Sequence, residues 1–233
     1  MKHPLVLAMT GASGVIYATR LLEVLLHAGY DVHLTITPSG KIVLKQELDL
    51  LVDLDDFHQS SLLLDAEKSA SDTHLDLTRQ MAGISSEESN VLSMGTGEPG
   101  KVFYHHFEDF MAPVASGSFL TSGMIVCPCS GSTISGIVHG ASNNLIQRAA
   151  DVHLKERRKL VLVPRETPLS VLQLSNLLRA SELGAIVLPA MPGWYHGVKT
   201  IRDLVDFIVG RILDQLGIEH SLMRRWGEED HHV

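Results

Sequence analysis

The chain has 233 residues, 45% of them hydrophobic, enough to build one domain with a core between helix layers. Its 27 acidic and 19 basic residues give a net charge of -8, which argues against a surface that holds nucleic acid by bulk electrostatics. No apolar run approaches the ~20 residues that span a bilayer, and Met1-Lys2-His3-Pro4 leads straight into a strand pattern rather than a signal peptide, so a cytoplasmic location is expected.

Residues 4–10 (PLVLAMT) form a continuous apolar run that breaks at Gly11, the pattern of a parallel strand buried on both faces. Val15, Leu21, Leu22, Leu25 and Leu26 then fall at helical spacing up to His27, and Gly29 stands where such a helix would stop. In residues 31–37, Val32, Leu34 and Ile36 alternate with His33, Thr35 and Thr37, which predicts a second strand and the start of a βαβ unit. Residues 52–100 are rich in Ser, Asp and Glu and end in MGTGEPG, so they read as a helical excursion plus loop outside the core. The alternation resumes with a strand at 124–129, a helix from about 133, a strand at 160–163, a helix near 169–183, a strand at 185–188 and an amphipathic helix near 200–216. That order predicts an α/β fold for a single domain over 1–233: a three-layer α/β/α, Rossmann-like, doubly wound parallel sheet. The tail 219–233 ends in GEEDHHV and reads as charged and frayed, its two histidines solvated.

The turn 10–14 (TGASG) closes the first strand and opens a helix, so its backbone N–H groups and the positive helix end suit a phosphate; the plainer reading is a tight turn. A second polar turn, 127–133 (CPCSGST), offers three hydroxyls at the same sheet edge, and two such turns make one crevice. Cys127 and Cys129, two apart on a strand, would share one face and form no ordinary disulfide; they read as structural rather than as zinc ligands. Asn144, Arg148, Asp151 and Lys155 line one helix face, either a solvated stripe with an Asp151-Lys155 pair or a phosphate-binding one. The strand at 160–163 delivers Arg165 and Glu166, a cation beside a carboxylate, which serves a ligand or simply caps the following helix. Loop 189–196 (PAMPGWYH) brings Trp194 and Tyr195 to that edge, as ligand contacts or as core cover. Arg211 stands in a strongly apolar helix (LVDFIVGRIL) and, if buried, must find an anion. Asp53, Asp55 and Asp56 lie in the polar excursion and read as solvated, so no metal is expected.

Taken together, TGASG at 10–14, MAPVASGS at 111–118, CPCSGST at 127–133, NNLIQRAADVHLKERRKLVLVPRETPL at 143–169, LPAMPGWYH at 188–196 and DLVDFIVGRILDQLGI at 203–218 resemble the UbiX-type flavin prenyltransferases. The LKERR and LVPRETP segments are the most specific part, and only 52–100 falls outside the likeness. The resemblance implies transfer of the dimethylallyl group of dimethylallyl monophosphate to N5 and then C6 of reduced FMN, giving prenylated FMN for UbiD-type decarboxylases. It implies FMN contacts at Gly11, Ala12, Ser13, Thr37, Ser130, Gly131, Ser132, Thr133 and Arg165. It assigns the allylic phosphate to Lys155, Glu166, Tyr195 and Arg211, with Arg148 nearby and across a subunit interface, and gives Glu47 proton handling in ring closure. The residue types suit that chemistry, since a monophosphate leaves poorly without cations and an acid. A homo-oligomer, a dodecamer, is also implied, with neither metal nor membrane. Thr37 replaces a frequent serine, Phe110 replaces a frequent tryptophan, and the excursion is longer than in the family. The rival readings are an FMN-dependent cysteine-decarboxylase-like flavoprotein, which leaves the Lys155, Glu166 and Arg211 set without a purpose, and a non-catalytic FMN carrier.

Overall fold

The computed structural model describes residues 2–62, 98–195 and 197–227. Its strands are β1 Leu5–Met9, β2 Val32–Ile36, β3 Val102–Tyr104, β4 Gly123–Cys129, β5 Leu160–Pro164 and β6 Ile186–Val187. All pair in parallel in one sheet of order β3-β2-β1-β4-β5-β6. The order reverses between β1 and β4, and at such a point the loops leaving neighbouring strands part to open a crevice at the carboxyl edge.

Strand pleating sorts side chains into two cores. Leu5, Leu7 and Met9 of β1 pack with α1 Val15–His27, α2 Pro38–Leu48 and α6 Ile201–Leu216 on one face. Val6 and Ala8 pack on the other face with α3 Gly131–Val138, α4 Leu145–Lys155 and α5 Val171–Glu182. A three-layer α/β/α Rossmann-like sheet is therefore what the chain builds. No described helix is long and apolar enough to cross a membrane.

Several sequence expectations change. α2 and β3 replace stretches in which no element was expected. Residues 52–62 are not outside the core: Val52, Leu54 and Leu62 are buried in the first cluster. The helix expected within 52–100 falls, for residues 63–97, outside the described residues. β2 is buried along its whole length, because segment 105–119 lies over the face carrying His33. Cys127 and Cys129 do not share a face, since the β4–β5 register shifts between Val126 and Cys129 and sends Cys127 into one core and Cys129 into the other. Both thiols are free and fully buried, and burial pushes both up, so they stay protonated and inert. Past α6 the chain is anchored through 223: Ile218 is buried and Leu222 and Met223 pack on the first core, while the GEEDHHV tail lies, beyond Gly227, outside the described residues.

Candidate functional site

The two glycine turns meet through one hydroxyl. Thr10 Oγ1 donates to Pro128 O at 2.7 Å and accepts from Ser130 N–H at 2.8 Å, while Thr10 N–H reaches the same carbonyl at 3.3 Å. Ser130 is the N-cap of α3, and its hydroxyl gathers Ser132 Oγ at 3.1 Å and Thr133 Oγ1 at 2.9 Å, so the three expected hydroxyls form one cluster. In the first turn, a Cβ on Gly11 would fall 2.4 Å from Ser39 Cβ, so only glycine admits the start of α2 there. Gly14 caps α1 at φ 107, a left-handed conformation that side chains disfavour. Among the described residues, nothing accepts from the N–H groups of Gly11, Ala12 or Ser13. They are free donors at a helix N-terminus, which fits an anionic ligand.

α2 crosses this turn with both ends engaged. Thr37, its N-cap, accepts from Gly40 N–H at 3.0 Å. Near its other end the Glu47 carboxylate accepts from Gly14 N–H at 2.9 Å and Val15 N–H at 3.1 Å. The first free donors of α1 are thus taken by a side-chain anion rather than left for a ligand. Tyr17 beside it is raised by burial first, with Cys127 and Glu47 adding to it.

At the carboxyl end of β5, Arg165 Nε donates to Ser13 O at 3.3 Å and braces the first turn. Glu166 turns the other way: Gln173 Nε2 on α5 donates to its Oε2 at 3.2 Å, and Thr167 N–H to its Oε1 at 3.3 Å. The remaining charged residues stand apart. Arg148 Nε donates to Ala115 O at 3.1 Å and its guanidinium pairs with Asp151 at 2.9 Å. Lys155 pairs with Glu156 at 2.7 Å, so the expected Asp151-Lys155 pair does not form. Lys155 faces a groove with Arg157, Arg158, Lys159 and Gly184, before β5 begins. Glu166 follows the end of the same strand, so the two residues enter from opposite ends of β5.

Arg211 is not buried. Its side chain is 44% exposed and its anion is Asp214 at 2.8 Å. Asp214 also receives Arg225 at 2.9 Å and His220 at 3.1 Å; burial works against its charge, but Arg225 and His220 prevail and hold it below the usual carboxylate range. Tyr195 and Trp194 are both more than half exposed, although Tyr195 still lies against Phe207 of the first core. Tyr195 meets Phe207 edge-on at 5.8 Å and Trp226 edge-on at 5.4 Å. The sequence reading missed Thr10 as the link between turns, Gln173 and Trp226. Thr10 carried a signal, a hydroxyl at the buried end of an apolar strand, whereas Trp226 carried none.

Comparison with known proteins agrees with this geometry. The family model described as Flavoprotein matches residues 1–213. Flavin prenyltransferase UbiX of Halalkalibacterium halodurans is 46% identical over 225 residues, covering 96% of this chain and 94% of the relative. The Pseudomonas aeruginosa enzyme of the same name is 43% identical, covering 96% and 93%. Among solved structures, AnUbiX in complex with FMN and dimethylallyl pyrophosphate superposes with a TM-score of 0.74 at 33% identity, covering 99% and 100%. A dodecameric FMN-dependent UbiX-like decarboxylase from Escherichia coli follows at TM-score 0.70 and 35% identity, covering 97% and 99%. A cysteine decarboxylase of thioviridamide biosynthesis, at 13% identity and TM-score 0.51, shares the fold alone. Near-complete coverage at such identity means that this chain belongs to the UbiX flavin prenyltransferases within the Flavoprotein family.

Proposed function

We infer that the chain transfers the dimethylallyl group of dimethylallyl monophosphate to reduced FMN, forming bonds at N5 and then C6 and releasing phosphate. The observation that supports this most is the pair of turns stitched by Thr10 at the sheet's switch point, with Arg165 braced on one of them. When bound, FMN supplies the two nucleophilic ring positions. This chain's residues hold and aim it: the N–H groups of Gly11, Ala12 and Ser13 and the hydroxyls of Ser130, Ser132 and Thr133 suit its phosphate, with Thr37, Gly131 and Arg165 alongside.

Glu166 would protonate or hydrogen-bond the departing phosphate, Tyr195 would donate a hydrogen bond to it, and Lys155, Arg148 and Arg211 would neutralise its charge. These cations do the work that acidic clusters and magnesium do for diphosphates, so no metal is needed. Because Lys155 stands at the opposite end of β5 from Glu166, a complete site draws on more than one copy, in keeping with a homo-oligomer and, by likeness, a dodecamer. Glu47, held on the α1 N-terminus, would handle the proton lost in ring closure. The product would serve a UbiD-type decarboxylase in the cytoplasm.

Incubation with reduced FMN and dimethylallyl monophosphate, followed by mass spectrometry of the released flavin, tests the reading. A flavin heavier by one dimethylallyl group is expected, and the diphosphate run in parallel reports leaving-group preference. Unchanged FMN, bound and released intact with either donor, would instead mark a carrier.

A further inference from the structure

We propose that Gln173, on the first turn of α5, is a positioning residue that sets the carboxylate of Glu166; this rests on reading Glu166 as the group that meets the departing phosphate. Glu166 is an exposed side chain, and an untethered glutamate samples many rotamers whose loss must be met when a substrate arrives. Gln173 removes that freedom. Its Oε1 accepts from Ser170 N–H at 2.8 Å, while Ser170 Oγ accepts from Gln173 N–H at 3.2 Å, closing a capping box at the start of α5.

The box fixes which end of the amide faces Glu166. With Oε1 committed to a backbone donor, the amide NH₂ is what remains, and it donates to Glu166 Oε2 at 3.2 Å. A flipped amide would break the cap and set oxygen against carboxylate oxygen. The same Nε2 lies 3.5 Å from where a Cβ on Gly131 would stand, so the amide sits between Glu166 and the first residue of α3, in the second turn. Cys129, Gly131, Pro164, Glu166, Gln173 and Asn176 share the wall of one small cavity there. A neutral donor suits this task. A lysine in its place would pair with Glu166 as a charge and hold it away from the phosphate, whereas an amide aims the carboxyl and leaves it able to carry a proton.

The test uses Gln173→Glu, because glutamate at this helix position preserves the capping box while replacing the N–H donor with a second carboxylate. Its thermal midpoint and FMN affinity should match the parent, with kcat for prenyl transfer reduced roughly 10- to 100-fold, the scale of a misplaced catalytic group. Gln173→Met, which lacks both donor and charge, should lose a comparable factor alone and none beyond that of Glu166→Gln when the two are combined, since a residue acting through Glu166 has nothing further to act on. A parental kcat in Gln173→Glu, or an undiminished Gln173→Met factor in the Glu166→Gln background, overturns the role of Gln173. A parental rate in Glu166→Gln itself overturns the reading of Glu166 on which the role stands.

Discussion

A single hydroxyl, that of Thr10, ties the two glycine turns together. Thr10→Val would leave Ser130 N–H without its partner and Pro128 O with only the Thr10 N–H at 3.3 Å, at about 1–3 kcal/mol for the group left unpaired. The expected outcome is a lower thermal midpoint together with weaker FMN binding by calorimetric titration, and Thr10→Ser should restore both. The carboxylates divide differently. Glu166 faces α5 rather than the first turn, so Glu166→Gln should leave FMN affinity unchanged and slow prenyl transfer by about 10²- to 10⁴-fold, the usual contribution of a general acid. Glu47→Gln should let dimethylallyl phosphate be consumed at the parental rate while the absorbance of the closed product lags behind, measured by rapid quenching alongside stopped-flow spectra. Loss of FMN in the first variant, or simultaneous signals in the second, would exchange or remove those roles.

Between elements, one buried tie is ionic. Arg20 of α1 is buried at 1% exposure, and its Nε reaches Asp206 of α6 at 2.7 Å, with Arg202 at 3.4 Å on the same carboxylate. Asp206→Ala would leave the buried Arg20 with Glu23 at 2.9 Å in place of its two-atom contact to Asp206, so it should destabilise by about 3 kcal/mol in chemical denaturation, the low end for a broken buried pair. β2 carries a second tie. His33 Nδ1 meets His105 Nε2 at 2.7 Å, a contact that needs exactly one shared donor, and His33 is pushed down to about 4 from 6.5 by burial first and His105 next, against Asp31. The unfolded chain therefore binds this proton more readily. Stability from the pair is complete above about pH 6.5 and is lost as the pH falls toward about 4. His33→Phe, which keeps the stack on Phe103, should flatten that acid limb of the thermal midpoint. Neither tie was legible in the sequence, where Arg20 sat in an amphipathic helix and His33 on an apparently polar strand face. What was legible came from patterns with one physical cause: apolar runs gave the buried strands, and α1 begins at Val15 and ends at His27 as its spacing predicted. α2 was missed although Thr37 and Pro38 are a cap and a first-turn proline, because its apolar residues are too few to make a stripe. The misassigned face of Cys129 came from assuming unbroken alternation through a register shift that nothing local announces.

At the scale of the whole molecule, one chain holds the two glycine turns at one edge of the sheet and Lys155 at the other. α5 also turns Val171, Leu172, Leu174 and Leu178 outward, a run of exposed apolar side chains of the kind a partner surface covers. Both features call for further copies, and they allow the shared site to be tested without a structure of the assembly. If each site takes Glu166 from one copy and Lys155 from another, then Glu166→Gln and Lys155→Ala chains, each nearly inactive alone, should regain activity when assembled together. A site made from an intact Glu166 on one chain and an intact Lys155 on the next arises in about a quarter of random pairings in an equimolar mixed oligomer. Coexpressed chains, purified through tags on both, should therefore reach roughly that share of parental turnover, whereas simply mixing preassembled oligomers should not. If instead one chain supplied both groups, no pairing would hold an intact set and the mixed assemblies would stay as slow as either parent variant. Activity near a quarter would place Lys155 across an interface from Glu166; activity at the variant level would return both to one chain and require the segment around Lys155 to move to the other edge of the sheet.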